Sequence, residues 1–568
     1  MNSTRAKKSN WVYVLGLVIL VNWLAGTWHN RIDLTAEKRY TLSAPTRLML
    51  KNLQEPVTIE VFLDGEMPAG FKKLANTTRD MLQDFKELAK GNIRFIFRRP
   101  LESLNDTARA EFMDSLQRLG LNPMNVKAQA KEGEGNEERL LYPGALISSN
   151  GKVTAVDFLQ GQSAENGINS LNNAEALLEY KLASGIHRVT QESIPVVGYL
   201  LGNGEPFTYN VFDLIEHNIK KNYGFSFVPI DSFQTIPPVF NALFVVKPTK
   251  KFSEAQKLKI DQFIMRGGKL IWLIDNLYAE MDSLQRSQNE FIAFDRGLNL
   301  EDQLFKYGVR INQDLVQDAN CDKIPSVIGQ VGGKPQIELL PWPYFPLLSS
   351  FSNHAIAKNL DYVLSEFPNS IDTVKAQGIK KTILLSSSDA TKILQTPARV
   401  AWNFIQTKED ASSFTHPPVP IAVLLEGRFS SLFTNRISKA QMDSLDGIQL
   451  PFQSQCVSEN KMIVISNAEI AMNSVSKSEG PLPMGMNPYT KYKFANSEFI
   501  MNSLEYLVDN SGIMEARAKD FTLRLLDKKK LEENKSTWQL LNIGLPIIVI
   551  LLFGFIYQLI RNRKFQRR

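Results

Sequence analysis

The chain has 568 residues, of which 43% are hydrophobic, and a formal net charge of +6 at pH 7. Eight basic residues in the two terminal tails exceed that net charge, so the rest is slightly acidic and does not suggest a nucleic-acid-binding surface. The length leaves room for about three domains between the tails. The two cysteines, Cys321 and Cys456, lack metal-binding spacing, and pairing in an oxidising compartment is an open alternative.

Two uncharged apolar runs predict membrane spans. Residues 11–28 (WVYVLGLVILVNWLAGTW) follow a basic tail over residues 1–10, and residues 538–560 precede another over residues 561–568. A membrane helix needs about 20 apolar residues, with roughly 17 as the lower limit. Neither run has the polar face of a soluble helix. We therefore expect a bacterial inner-membrane protein with two spans, both termini in the cytoplasm and the region between them in the periplasm.

Residues 31–190 predict an α/β domain. The strands VTIEVFL and IRFIF are each followed by a helical pattern, the strands GALISS and KVTAVDFL come next, and a helix is expected around residues 173–184. The order βαβαββα is that of a thioredoxin-like domain, here without the cysteine pair of a redox enzyme. The polar insert at residues 127–139 is expected to be a mobile hairpin tip or a loop.

Residues 191–318 predict a Rossmann-like, doubly wound domain, with flavodoxin-like strand order as one option. IPVVGYLLG, FSFVPID, NALFVVKP and KLIWLID are continuous apolar runs, as in strands buried on both faces of a parallel sheet. Helices are expected at residues 211–223 and 253–266. Residues 319–512 predict a C-terminal α/β extension with the strands ILLSSSD, IAVLLEG and KMIVISN. Within it, LLPWPYFPLLSSFSNHAIAKNL is either a long loop or a partner-binding surface.

Polar residues that follow the predicted strands form a candidate ligand site, because open α/β sheets bind ligands beyond the carboxyl ends of their strands. The candidates are Asn203, Glu205, Asp231, Asp275 and Asn276. Helix caps or solvated loops would account for the same residues. The sequence GNGEPF (residues 202–207) lacks the third glycine of a dinucleotide fingerprint, so no cofactor is predicted.

Standard catalytic and metal-binding motifs are missing from the sequence. GQVGGKP at residues 329–335 has the wrong glycine spacing for a phosphate-binding loop, and the five histidines have no paired ligand spacing. We therefore expect a protein that is not an enzyme and that binds no metal. Residues 513–537 predict a connector, and its charged stretch DKKKLEENKST favours a stiff helix continuous with the second span.

Five longer segments carry a family resemblance: RIDLTAEKRYTLSAPT, LPWPYFPLL, HAIAKNLDYV, FPNSIDT and NSEFIMNSLEYLVDN. With them the chain resembles the GldG family, the gliding-motility-associated ABC transporter components of Bacteroidetes. The resemblance implies a bilayer-anchored protein that works with an ABC permease and an ATPase, in a family often labelled as substrate-binding. It also implies a Rossmann-like domain, shared with an intraflagellar-transport protein, over roughly residues 195–300.

Anchors at both ends would distinguish this chain from a binding protein that diffuses freely or hangs from one lipid. We therefore expect a non-enzymatic auxiliary subunit that transmits force or a signal to the permease. Ligand capture in the periplasm is the alternative, and a cell-wall-acting enzyme that uses Glu205 or Asp275 is a third.

Overall fold

The structure is a computed structural model that describes residues 15–22, 41–101, 105–129, 136–159, 167–287, 290–402, 404–405, 408–518 and 535–565. The chain divides into two compact units, residues 1–519 and residues 520–568, and each is described by itself.

A four-stranded sheet lies in the N-terminal part of the first unit. The elements of this part are α1 (Ala44–Lys51), β1 (Val57–Val61), α2 (Ala69–Leu88), β2 (Ile93–Phe97), α3 (Asp106–Arg118), β3 (Met124–Gln129), β4 (Asn136–Leu141), β5 (Gly144–Ser149), β6 (Lys152–Asp157) and α4 (Gly167–Thr190). The strand order is β2-β1-β5-β6, with β2 parallel to β1 and the other neighbours antiparallel. Helix α2 buries the apolar stripe that includes Phe71, Leu74 and Phe85.

The polar insert forms most of a separate hairpin. Strands β3 and β4 pair from Met124 opposite Leu141 to Gln129 opposite Asn136. The tip at residues 130–135 lies outside the described residues. The insert is therefore paired strand for most of its length, where the sequence had left a loop as one option.

The second and larger sheet has seven strands in the order β18-β21-β22-β10-β9-β7-β8. These are β7 (Val196–Leu201), β8 (Gly224–Pro229), β9 (Ala242–Val246), β10 (Lys269–Leu273), β18 (Ile379–Ser386), β21 (Pro420–Gly427) and β22 (Asn460–Ile465). The strands β8, β7, β9, β10 and β22 are parallel and run in the order 2-1-3-4-5 along the chain. Strands β21 and β18 add an antiparallel edge. The three strands expected within residues 319–512 therefore belong to the same sheet as those from residues 191–318.

The rest of this part of the chain forms short helices and small strand pairs. The helices are α5 (Lys220–Asn222), α6 (Glu254–Met265), α7 (Met281–Arg286), α8 (Glu301–Tyr307), α9 (Lys408–Ser412), α10 (Lys439–Gly447) and α11 (Asn496–Val508). The remaining strands are β11 (Glu290–Ala293), β12 (Val309–Ile311), β13 (Asp314–Asp318), β14 (Cys321–Val331), β15 (Lys334–Leu348), β16 (Val363–Leu364), β17 (Ile371–Thr373), β19 (Thr391–Gln395), β20 (Ala398–Ala401), β23 (Val475–Ser476) and β24 (Gly480–Pro481). Short 3-10 turns lie at Tyr209–Val211, Ile230–Ser232, Glu469–Ala471 and Ile513–Ala518.

Two expectations for this region were wrong in detail. The helix expected at residues 211–223 is mostly a π-helix, Asp213–Ile219, followed by the single turn α5. The proline- and aromatic-rich passage begins in strand β15, where Trp342, Tyr344 and Phe345 are buried in an aromatic cluster. The strand is buried at every position from Trp342 to Pro346, so these rings are not available as an exposed partner-binding surface. Cys321 and Cys456 are both free, so the disulfide alternative is not adopted.

The second unit contains the helix α12 (Lys535–Phe565), which includes the predicted span at residues 538–560. A stretch of it, Lys535–Arg563, is long and apolar enough to cross a membrane, with a mean hydropathy of 2.5. Of the first predicted span, residues 15–22 are helical and exposed, and the rest lies outside the described residues. Of the connector predicted at residues 513–537, residues 519–534 lie outside them, as do residues 1–10 and 566–568 of the tails.

Candidate functional site

A cavity of about 510 Å³ is lined by residues that follow β9, β10 and β22 in the chain. Phe345, Phe367, Met472 and Tyr489 contribute apolar and aromatic walls. The charged side chains that line it are Lys247, Glu280, Asp282, Asp322, Glu366 and Glu469. Five carboxylates and one ammonium group make the lining strongly acidic, which favours ligands with hydrogen-bond donors or positive charge.

Lys247 is the cation of this cavity and directly follows β9. Its Nζ forms an ion pair with Glu469 and lies 3.7 Å from Glu280 Oε1 and 3.8 Å from Asp275 Oδ2. Burial disfavours the ammonium group, but the three carboxylates outweigh burial and raise the pKa of Lys247 above its ordinary value. The positive φ of +45° at Lys247 is uncommon for a residue with a side chain. The three carboxylates already compensate the positive charge of Lys247 within the protein.

Glu366 lies between β16 and β17, and hydrogen bonds with the side chain of Asn467 fix its main chain. The side-chain amide of Asn467 donates to the Glu366 carbonyl oxygen at 2.5 Å, and the Glu366 N–H donates to Asn467 Oδ1 at 3.2 Å. The next residue, Phe367, has a φ of +53°, and its buried ring packs edge-on against Trp342 and Phe345. A bulky residue keeps such a conformation only when its surroundings fix it. These contacts set the direction of the Glu366 side chain.

The carboxylate of Glu366 faces several like charges. Burial, followed by the carboxylates of Glu469, Asp275 and Asp322, raises the pKa of Glu366 to about 8, with Lys247 opposing the shift. Within the parts of the chain that the structure describes, no hydrogen bond or ion pair reaches this carboxylate. Glu366 is half-buried and lines the cavity. Its acidic group is therefore available to a bound molecule.

Three of the five predicted ligand residues form one group, with Asn203 and Glu205 in the loop after β7 and Asp231 in the turn after β8. The carboxylate of Glu205 accepts the N–H groups of Gly202 (3.0 Å) and Asn203 (2.7 Å). Asn203 Nδ2 donates to Gln256 Oε1 at 3.1 Å, and Gln256 Nε2 donates to Asp231 Oδ1 at 2.9 Å. This chain of bonds ties the loop to the first turn of α6. It gives the buried Asn203 and Glu205 and the exposed Asp231 a structural role.

The other two predicted residues lie beyond β10. Asp275 Oδ1 accepts the N–H of Ala468 at 2.7 Å, and burial raises the pKa of Asp275 while Lys247 opposes the shift. The N–H of Asn276 donates to Asn369 Oδ1 at 2.8 Å, and Asn276 lines a separate cavity of about 690 Å³. The structure therefore places the five residues in two groups, and none of them lines the acidic cavity.

Sequence reasoning missed Lys247 and Glu366, although both adjoin segments that it had singled out. Lys247 directly follows the fully buried strand β9, and Glu366 immediately precedes the segment FPNSIDT. A lysine directly after a buried parallel strand was the available signal. For Glu366 no local pattern exists, because its neighbours come from distant segments. Among the described residues, no group of His, Cys, Asp or Glu is arranged to hold a metal ion.

Two family models match this chain. Residues 195–503, more than half of its length, match the family described as "ABC-type uncharacterized transport system". Residues 36–148 match a domain of unknown function. No curated protein matches the chain.

Solved structures give only remote likenesses. One is the "mmIFT52 N-terminal domain", with 11% identity and a TM-score of 0.30, where the match covers 56% of this chain and 98% of that one. Another is "Exo-beta-1,4-mannosidase Op5Man5 from Opitutaceae bacterium strain TAV5", with 8% identity, a TM-score of 0.18, and coverage of 76% and 51%. Both TM-scores are too low to carry an argument about this chain.

Proposed function

We propose, from the premise that this chain belongs to the ABC-type uncharacterized transport system family, that it couples a large folded region to a membrane permease and its ATPase. Family membership makes the chain an auxiliary component of an ABC transport system. We propose further that the subunit is not an enzyme and that the system serves gliding motility in Bacteroidetes. The segments RIDLTAEKRYTLSAPT and FPNSIDT support the motility assignment by their resemblance to GldG.

Helix α12 is the observation that carries this proposal. It is apolar on all sides, and its described side chains are almost all exposed within the chain. A helix that is hydrophobic all round needs lipid or another protein around it. A side chain added at Gly544 would meet no atom within 4 Å, so the helix surface at this glycine is open to a partner helix. We infer that α12 spans the membrane and packs on the permease.

Replacement of residues 538–560 by polyleucine tests that packing. The variant should still insert in the membrane, but we expect it to lose the permease during purification from native membranes in mild detergent. The wild-type chain should retain both the permease and the ATPase. A polyleucine chain that copurifies with them as well as the wild type and restores gliding would reduce α12 to a passive anchor.

The membrane topology is a second part of the proposal, with residues 11–28 as a further span, both tails in the cytoplasm and the body in the periplasm. A cysteine at Ser9 or Gln566 should then resist a membrane-impermeant thiol reagent in intact spheroplasts, and one in residues 127–139 should react. Cys321→Ser removes a half-buried native thiol from the background. The opposite labelling would overturn this topology.

For the fold classes, we propose a thioredoxin-like domain followed by a Rossmann-like domain with flavodoxin-like strand order. The sheet order β2-β1-β5-β6 supports the first assignment, and the parallel order 2-1-3-4-5 supports the second. Ligand capture is a second candidate function, and the acidic cavity beyond the parallel strands favours it.

A further inference from the structure

We propose that the acidic cavity binds a small molecule with a primary ammonium group, which pairs with the carboxylate of Glu366. This inference names the ligand class for the ligand-capture candidate and rests on that candidate. It does not depend on the packing of α12 against a permease.

Glu366 differs from the other four carboxylates that line the cavity in its lack of a partner within the described chain. Each of the four others already has an ion-pair or hydrogen-bond partner within the chain. These pairs are Glu280 with Arg296 (2.7 Å), Asp282 with Arg286 (3.4 Å), Asp322 with Asn487 (2.6 Å) and Glu469 with Lys247. Glu366 alone among the five lining carboxylates has no such partner in the described chain. A half-buried carboxylate is stabilised when a cation or a donor reaches it.

An anion does not suit this cavity. Lys247 already faces Glu469, Glu280 and Asp275, so its positive charge is not available to a ligand. Any incoming anion would also meet the carboxylates of Glu280 and Glu469, which line the same cavity. An ammonium group supplies three donors and one positive charge, which match a carboxylate that lacks both.

The remaining walls suit the carbon stem of such a molecule. Phe345, Met472 and Tyr489 line the same space, and Tyr489 is half-exposed, with 51% relative accessibility. An aromatic ring can contact a methylene chain or lie beside a cation. The volume of about 510 Å³ falls within the range of small-molecule sites. An alkylamine of several carbons would therefore contact both the carboxylate and the apolar walls.

The pH dependence of binding follows from the groups that face Glu366. These are Glu469 after β22, Asp275 after β10 and Asp322 on β14, which raise its pKa, and Lys247 after β9, which lowers it. An ammonium ligand favours the ionised carboxylate, so binding releases a proton where free Glu366 is protonated. Affinity should rise from pH 6.5 to pH 8.5, over which an alkylammonium with a pKa of about 10 stays charged.

Calorimetric titration of the full chain in mild detergent tests the proposal with putrescine, L-lysine and spermidine as probes. We expect at least one amine to bind, 1,4-butanediol (the neutral isostere of putrescine) to bind at least about 10-fold more weakly, and succinate not to bind. Glu366→Gln should lower the amine affinity about 10-fold or more. The matched control is Glu290→Gln, the same change at an exposed carboxylate that is paired with Arg399 and lies outside the cavity lining, and it should change affinity less than about twofold.

Several results would overturn the proposal. They are no saturable binding of any of the three amines up to about 10 mM, equal binding of the diol, or unchanged affinity in Glu366→Gln. If Glu366→Gln fails to fold, the pH series on the wild type decides, because affinity that is flat or falls between pH 6.5 and pH 8.5 contradicts the pairing. Copurification with the permease is measured separately on each variant, so a failure of ligand binding and a failure of the coupling function remain distinguishable.

Discussion

Two loop regions next to the central sheet each contain an acidic residue whose pKa is raised by burial, yet the two carboxylates have different surroundings. In the loop after β7, burial raises the pKa of Glu205, and one carboxylate oxygen accepts two main-chain N–H groups. At the acidic cavity, the main chain of Glu366 is held by Asn467 and its carboxylate has no partner in the described chain. A raised pKa alone therefore does not identify a ligand-facing acid, and the hydrogen-bond partners of the carboxylate do.

The largest expected effect is a loss of stability when the loop beside the acidic cavity is disturbed. Phe367→Ala should lower the free energy of unfolding by about 3–5 kcal/mol, because a buried ring that fixes the backbone next to Glu366 is lost. Chemical denaturation of the full chain in detergent measures it. Phe351→Ala is the matched control, since Phe351 is 70% exposed and should change stability by at most about 0.5 kcal/mol. Equal losses in the two variants would mean that Phe367 does not anchor this loop.

A smaller loss is expected in the loop after β7. Glu205→Ala leaves two main-chain N–H groups without their acceptor and should cost about 2 kcal/mol. Glu205→Gln retains an acceptor oxygen and should cost less than half as much. Both variants should keep transport function in proportion to the amount of folded protein. A Glu205→Gln chain with wild-type stability and no function would break the comparison, because Glu205 would then act on a ligand.

A separate test concerns the pH dependence of stability. The pKa of Glu366 in the folded protein, about 8, lies above its ordinary value of 4.5, so the folded state retains a proton that the unfolded state releases. The stability that this proton confers is present below about pH 4.5 and is lost as pH rises through about 8. Melting temperatures of Glu366→Gln and the wild type should therefore diverge in favour of the variant between pH 5 and pH 8.5. A constant difference across that range would exclude this titration.

The strands of the central sheet were accessible to sequence reasoning because their burial leaves a strong local pattern. β9 is buried at every position, and its run of apolar residues predicts a strand in a parallel sheet without knowledge of its neighbours. The π-helix Asp213–Ile219 was less accessible, because its apolar spacing resembles that of an ordinary helix and its wider turn depends on packing.

The acidic cavity was beyond sequence reasoning for a different reason. Lys247, Glu280, Glu366 and Glu469 are separated by dozens of residues, and only the folded sheet brings their loops together. The predicted residues Asn203 and Glu205 were correctly placed beyond a strand end, but position there does not reveal whether a side chain turns toward its own loop or toward a cavity.

The position of β22 within the central sheet has a consequence for the order of folding. This strand, at Asn460–Ile465, inserts between β10 and β21, and its partner β10 lies nearly two hundred residues earlier in the chain. During synthesis this edge of the apolar strand β10 stays unpaired until β22 has been made. Folding dominated by such distant pairings is slow and exposes strand edges to misassembly. We therefore expect chains truncated before residue 460 to aggregate and the full chain to refold slowly.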